Sequence, residues 1–160
     1  MNIQNRLVKI LNERGLKIAT AESCTGGLLS EMITDVPGAS SVFECGVCSY
    51  SNRIKHAVLG VSQETLDIYT EVSTQTAEEM ALGVQRISGA DIAVSTTGVA
   101  GPTGGTEENP VGTVCMCFVT PKGVVSEKKS FNLDNSNNRD VIRQRCAEYC
   151  LERVCLLLRK

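Results

Sequence analysis

Residues 90–98, ADIAVSTTG, form an almost uninterrupted apolar run. A short segment with no polar face belongs in the middle of a sheet that is covered on both sides. That requirement constrains the rest of the chain, because helices must supply both covers. Residues 2–14 put Ile3, Leu7, Ile10 and Leu11 on one helical face, and Gly15 ends it. A strand is expected at 16–22. A helix over 26–35 carries Leu28, Leu29, Met32, Ile33 and Val36 and stops at Val36-Pro37-Gly38. SSVFECGVCSYS reads as a second strand, NRIKHAVLG as a short helix ending at Gly60, and QETLDIYTE as a short connecting segment. Residues 74–88 align Ala77, Met80, Ala81, Val84 and Ile87 on a long helix. Beyond the apolar run, VGTVCMCFVT and VVSEKKSFNL flank Pro121-Lys122-Gly123 as an antiparallel hairpin. A polar connector, DNSNN, leads to a last helix over 138–158 that buries Ile142, Cys146, Cys150, Val154 and Leu157.

Alternating strands and helices followed by a hairpin predict one α/β domain, residues 1–160, with helices on both sides of a mixed, mostly parallel sheet. A chain of 160 residues with a 42% hydrophobic fraction closes one substantial core. No apolar run approaches the ~20 residues that span a bilayer. The polar start, Met1 to Arg6, does not read as a signal peptide. A cytoplasmic location without membrane attachment is therefore expected. The net charge is −2 and no dense Lys/Arg block occurs, which argues against nucleic acid held by bulk electrostatics. With no Trp and only three Tyr, an aromatic stacking platform is not expected either.

Eight cysteines raise the question of a metal or disulfide framework. Cys45 and Cys48 are spaced C-x-x-C, but on a strand residues three apart point to opposite faces. Cys115 and Cys117 alternate within another strand, and Cys146 and Cys150 extend an apolar helical stripe. These positions predict small buried hydrophobes. With His56 as the single histidine, no metal site is expected.

In such sheets ligands collect at the carboxyl ends of strands. The loops that begin after residues 22 and 97 are therefore expected to share one site. The first, TAESCTGG at 20–27, admits two readings. It is a tight turn with Thr25 capping the next helix, or it sets a nucleophile, Ser23 or Cys24, beside backbone donors. Gly26 and Gly27 would let the backbone come close to a ligand. The stretch is neither G-x-S-x-G nor a phosphate-binding G-K-[ST] loop. Lys55 can act as a base if it is buried and neutral, with Tyr50 relaying a proton. Otherwise Lys55 is a solvated helix charge, Tyr50 an edge residue of the core and His56 a surface residue. The second loop, TTGVAGPTGGTEENPVGT, can wrap a phosphate or ribose with backbone N–H groups, or can simply join a buried strand to the hairpin.

AESCTGG, VPGASSVFECGVCSYSNRIKHAVLGV, VSTQTAEEMALG, TTGVAGPTGGTEENPVGTV and NRDVIRQRCAEYCLERV together resemble the successive motifs of the CinA C-terminal domain family. The likeness covers nearly the whole chain. Stand-alone members are nicotinamide-nucleotide amidohydrolases. The resemblance implies a three-layer α/β/α sandwich, no metal, no cofactor, and a homodimer or higher oligomer. It implies that Ser23 attacks the carboxamide of nicotinamide mononucleotide, that Lys55 activates it, and that Tyr50 takes the family's tyrosine position. Backbone groups around Thr25, Gly26 and Gly27 would hold the oxyanion. Thr97, Gly98, Gly101, Gly104 and Gly105 fall in the family's ligand loop. Arg139 matches a phosphate partner, with Arg143 as a second candidate one turn on. Cys45 stands where a glycine is usual, Arg53 where an acid is common, and Cys115 and Cys117 replace ordinary strand residues. A regulatory module with little turnover, or an amidase for another small carboxamide, are the alternatives.

Overall fold

The computed structural model describes residues 1–159. In chain order the elements are α1 (Ile3–Arg14), β1 (Ile18–Glu22), α2 (Leu28–Thr34), a 3-10 turn (Ala39–Ser41), β2 (Phe43–Cys48), α3 (Asn52–Leu59), α4 (Gln63–Tyr69), α5 (Thr74–Ser88), β3 (Ile92–Gly98), β4 (Thr113–Thr120), β5 (Gly123–Ser130) and α6 (Arg139–Leu158). The sheet order is β2-β1-β3-β4-β5. β1 runs parallel to β2 and β3, whereas β3–β4 and β4–β5 are antiparallel. Only β4 is reversed, so the sheet is mixed and most of its strands point one way.

Period-two alternation sorts the apolar residues into two cores. Ile18, Ile92, Val94, Val114, Met116 and Phe118 pack with α1, α2 and α6. Ala19, Ala21, Ala93, Cys115 and Cys117 pack with the α3–α5 side. The second set is small, which lets α5 lie close to the sheet. Ser95 Oγ donates to the Ala77 carbonyl at 2.5 Å across that interface. Gly83 brings α5 against α3, since a Cβ there would stand 2.0 Å from the Leu59 carbonyl oxygen. β3 is covered by both cores, as its apolar run requires.

Departures from the sequence reading lie at element ends. The second strand is shorter than residues 40–51, because β2 is an edge strand whose residues alternate between half-buried and exposed. Residues 39–41 form the 3-10 turn instead, and QETLDIYTE contains α4. Cys45 packs on the α5 side and Cys48 is exposed, so the two thiols diverge as expected. The other six cysteines are buried, and all eight are free. No helix among the described residues is long and apolar enough to cross a membrane.

The topology opens a crevice. From β1 the chain crosses one face through α2 to reach β2 at the edge. It returns across the other face through α3, α4 and α5 to β3, on the far side of β1. The α2 connection leaves the carboxyl end of β1 toward β2, whereas the loop that leaves the carboxyl end of the neighbouring β3 runs the other way, to β4; such a switch point is where these sheets bind ligands. Ser23 leaves β1 at this point, and its N–H donates to the Thr96 carbonyl at 2.9 Å.

Glu22, the last residue of β1, is fully buried and shapes the turn. Its Oε2 accepts from Thr25 Oγ1 at 2.6 Å and from the N–H groups of Gly27 and Leu29 at 3.0 Å each. Its Oε1 accepts from Ser30 N at 2.8 Å and Ser30 Oγ at 2.6 Å. The carboxylate thus satisfies the free donors at the start of α2 and opposes the positive end of the helix dipole. Thr25 is therefore not the cap. The cap position is Gly27, at φ 99°, and α2 begins at Leu28 rather than at residue 26. Glu22→Gln turns an amide nitrogen toward a ring of donors and should destabilise the fold by about 2–4 kcal/mol. Urea unfolding followed by circular dichroism measures this. A loss below about 0.5 kcal/mol, the range of ordinary surface changes, would show that the network does not hold the turn.

Candidate active site

Lys55 sits on α3, whose start is capped by the Ser51 side chain accepting from Ile54 N at 3.3 Å. Lys55 and Leu59 are four residues apart and both face inward, so the lysine occupies a core position of an amphipathic helix. It is 1% exposed, and its Nζ donates to Ser23 Oγ at 3.1 Å. Burial lowers the Lys55 pKa from its ordinary value, while the nearby Glu71 carboxylate and Cys24 work in the opposite direction. Arg53 is exposed and is not among the causes of the shift.

A cleft of about 370 Å³ opens above this pair, which is within the range of small-molecule sites. Ser23, Cys24 and Lys55 form its buried floor. Tyr50 comes from the β2–α3 connection, Asn52 from the first residue of α3, and Thr97, Gly98 and Ala100 from the end of β3 and the loop beyond. Glu71 enters from the α4–α5 turn and Arg139 from the start of α6. Tyr50 is 62% exposed, not an edge of the core. Its hydroxyl accepts from Arg139 Nη2 at 2.6 Å, while Arg139 Nη1 donates to the Gly101 carbonyl at 2.8 Å. Arg139 uses two of its five N–H donors in this way, which leaves others to face an anion in the cleft. His56 does not line the cleft; its Nδ1 lies 2.7 Å from the Val61 carbonyl.

Several expected ligand contacts hold the protein together instead. Thr25 is fully buried, with Oγ1 2.7 Å from Thr96 Oγ1. Gly26 N donates to the Ser23 carbonyl at 3.0 Å and Gly27 N to Glu22, so neither N–H is free for an oxyanion. Cys24 and Thr25 are the residues of this turn whose N–H groups have no protein acceptor among the described residues. Arg143 Nη2 donates to the Thr25 carbonyl at 2.7 Å and ties α6 to the turn. Gly98 lines the cleft, and the position requires glycine because a Cβ there would lie 2.3 Å from the Thr113 carbonyl oxygen. Gly101, Gly104 and Gly105 lie outside the cleft wall. Gly105 packs on the backbone of Val111, and Gly104 lines a neighbouring groove.

The sequence reading passed over Glu22, Asn52 and Glu71. Glu71 is held in place with unusual firmness for an exposed acid. Thr70 before it adopts φ 65°, ψ 178°, a conformation ordinarily left to glycine and costing about 1–3 kcal/mol. The Thr70 carbonyl accepts from Ser73 Oγ at 3.0 Å and Thr76 Oγ1 at 2.7 Å. The Glu71 carbonyl accepts from Thr97 Oγ1 at 2.6 Å, which also shows what the buried Thr97 hydroxyl does. Among the described residues, no group of three or more His, Cys, Asp or Glu could hold a metal ion.

Known proteins share this architecture and much of this sequence. The profile of the CinA C-terminal domain family matches residues 1–158. The nicotinamide-nucleotide amidohydrolase PncC of Enterobacter agglomerans is 46% identical over 143 residues, covering 89% of this chain and 85% of that protein. A CinA-like protein of Chloroherpeton thalassium is 44% identical over 158 residues, or 99% of this chain. The chain spans only 27–38% of the length of the longer curated relatives it matches. The crystal structure of the competence/damage inducible protein CihA from Agrobacterium tumefaciens superposes with a TM-score of 0.91 at 36% identity, covering 99% of this chain and 94% of that one. The chain belongs to the CinA C-terminal domain family.

Proposed function

We propose that the chain hydrolyses the carboxamide of nicotinamide mononucleotide, giving nicotinate mononucleotide and ammonia, with Ser23 as nucleophile and Lys55 as base. The observation that carries this reading is the 3.1 Å hydrogen bond between Lys55 Nζ and Ser23 Oγ at the buried floor of the cleft. Similarity to PncC supports the choice of a nicotinamide nucleotide. Neutral Lys55 takes the Ser23 proton as Oγ attacks the amide carbon. The oxyanion role falls to the N–H groups of Cys24 and Thr25, since those of Gly26 and Gly27 are engaged. Lys55 returns the proton to the leaving nitrogen, the C–N bond breaks, and ammonia departs. Water, deprotonated by Lys55, then cleaves the acyl ester and restores Ser23. The positive pyridinium ring withdraws electrons from the carbonyl and favours both attacks. Arg139, with Tyr50 bracing it, is the phosphate partner. The protein is expected to work in the cytoplasm and to form a homodimer or higher oligomer. Ammonia release from a panel of pyridine nucleotides and simple carboxamides tests the reaction, and no release from any nucleotide would sink it.

Lys55 separates activity from stability. Its lowered pKa predicts that kcat/KM rises with pH through one ionisation below 10.5, as the neutral amine forms. The unfolded chain also holds a proton that the folded chain tends to release. Burial of Lys55 therefore costs stability in full below the folded pKa, and the cost fades as pH rises from there toward 10.5. Lys55→Met should abolish turnover while raising the melting temperature at neutral pH. Lys55→Arg should be inactive because a guanidinium stays protonated. A Lys55→Arg enzyme with near-normal rate would remove Lys55 from the role of base.

Arg139→Ala should raise KM for the mononucleotide by about ten- to a hundredfold, the worth of a charge-assisted contact to phosphate. It should affect nicotinamide riboside, which has no phosphate, far less. Steady-state kinetics on both substrates checks this. Equal losses would mean that Arg139 serves only to brace Tyr50 and the Gly101 carbonyl.

A further inference from the structure

Glu71 is the only acid lining the cleft among the described residues. Its carboxylate forms no salt bridge among them, and its nearest side-chain partner is a long contact with Asn52 Nδ2 at 3.5 Å. An acid with no salt-bridge partner among the described residues, on a backbone anchored by the Thr97 hydrogen bond to its carbonyl, keeps its charge available to a ligand. We infer that Glu71 is the specificity-determining counter-charge for a cationic ring, and that it selects the pyridinium form of the substrate over neutral carboxamides. This inference rests on the nicotinamide mononucleotide reading above.

With Lys55 neutral, the cleft carries one positive charge, Arg139, and one negative charge, Glu71. The substrate carries the complementary pair, a phosphate and a pyridinium. Its ring nitrogen lies meta to the carboxamide, so placing the amide carbon on Ser23 leaves the cation within a ring's width of the floor. Glu71 lines the same cleft and is close enough to Lys55 on its floor to act on that amine electrostatically. Wrong-charge ligands are rejected by the same arrangement, because a neutral ring leaves the carboxylate desolvated without compensation.

The same charge couples binding to chemistry. The groups facing Lys55 are Glu71 from the α4–α5 turn and Cys24 from the β1–α2 turn, with Tyr50 and Arg139 across the cleft. Glu71 favours the Lys55 ammonium in the empty site. A bound pyridinium offsets that influence, so the substrate itself promotes loss of the Lys55 proton. Glu71→Gln therefore acts in two opposite directions: it weakens binding of the cation and lowers the pH at which Lys55 becomes neutral.

The test uses calorimetry with the Ser23→Ala protein, which binds without turnover, and compares nicotinamide mononucleotide with its reduced dihydro form, whose ring is neutral. Adding Glu71→Gln should weaken the oxidised nucleotide about fivefold or more and change the reduced one less than about twofold. Glu71→Asp, which keeps the charge, should restore much of the preference. In the protein with Ser23 intact, Glu71→Gln should also move the kcat/KM profile to lower pH. Equal weakening of both nucleotides, or an unchanged preference, overturns the assignment of Glu71 while leaving the deamidase reading in place. Failure of the Ser23→Ala protein to bind either nucleotide overturns both.

Discussion

The buried carboxylate of Glu22 is the interaction on which the site depends. Leaving a charge inside the fold is unfavourable unless hydrogen bonds replace the lost water. Here three backbone N–H groups and two hydroxyls do so. The consequence is geometric. With Gly27 N, Leu29 N and Ser30 N all aimed at one side chain, the turn from β1 into α2 has little freedom. Arg143 on α6 clamps the Thr25 carbonyl, and Thr96 on β3 holds Ser23 N. Ser23 is thus fixed by strand, helix and neighbouring strand at once, and its proposed role as nucleophile needs that narrow positional tolerance.

A division of labour follows between charge for structure and charge for chemistry. The donors at the start of α2 would in principle serve a bound anion. Glu22 has already taken most of them, so the proposed phosphate contact falls to Arg139 at the start of α6. Lys55 is treated in the opposite way from Glu22. Its buried amine has a hydroxyl partner in Ser23 rather than a paired carboxylate, and the fold leaves it weakly supported as an ammonium. The satisfied carboxylate gives rigidity, whereas the weakly supported ammonium has a lowered pKa, the property that the proposed base needs.

Much of this was legible in the sequence where a single physical rule dominates. ADIAVSTTG could only be a doubly covered strand, and the two cores follow from it by alternation. The divergence of Cys45 and Cys48 followed from strand geometry alone. The Lys55–Leu59 spacing on NRIKHAVLG carried a signal that the lysine faces inward, although the pattern alone does not distinguish a buried lysine from one that snorkels. What stayed hidden depends on long-range placement. Glu22 reads as an ordinary charge because its partners are backbone groups of a helix that has not yet begun. Glu71 reads as a surface acid because the Thr70 backbone conformation and the Thr97 hydroxyl that fix it lie outside any local pattern. The glycines of the second loop read as ligand contacts, but several serve close approach within the protein, as Gly105 does against Val111.

Adjacent Ser23 and Cys24 raise a chemical question that geometry and acidity answer together. A free thiol is ordinarily the better nucleophile. Burial pushes the Cys24 pKa well up, and the charges of Cys146 and Glu22 push in the same direction, with its own backbone N–H and Lys55 only partly opposing them. Its side chain packs in the core that contains α1, α2 and α6. A thiolate there would be a charge inside apolar surroundings, which the fold disfavours. The Ser23 hydroxyl needs no prior ionisation. In the proposed mechanism it loses its proton to Lys55 only as the new bond forms, so no free alkoxide has to be stabilised at any stage. The same burial that lowers the Lys55 pKa and suits it to the proposed role of base raises that of Cys24 and disfavours its thiolate, and the proposal assigns the reaction to Ser23, the weaker of the two neighbours, for that reason.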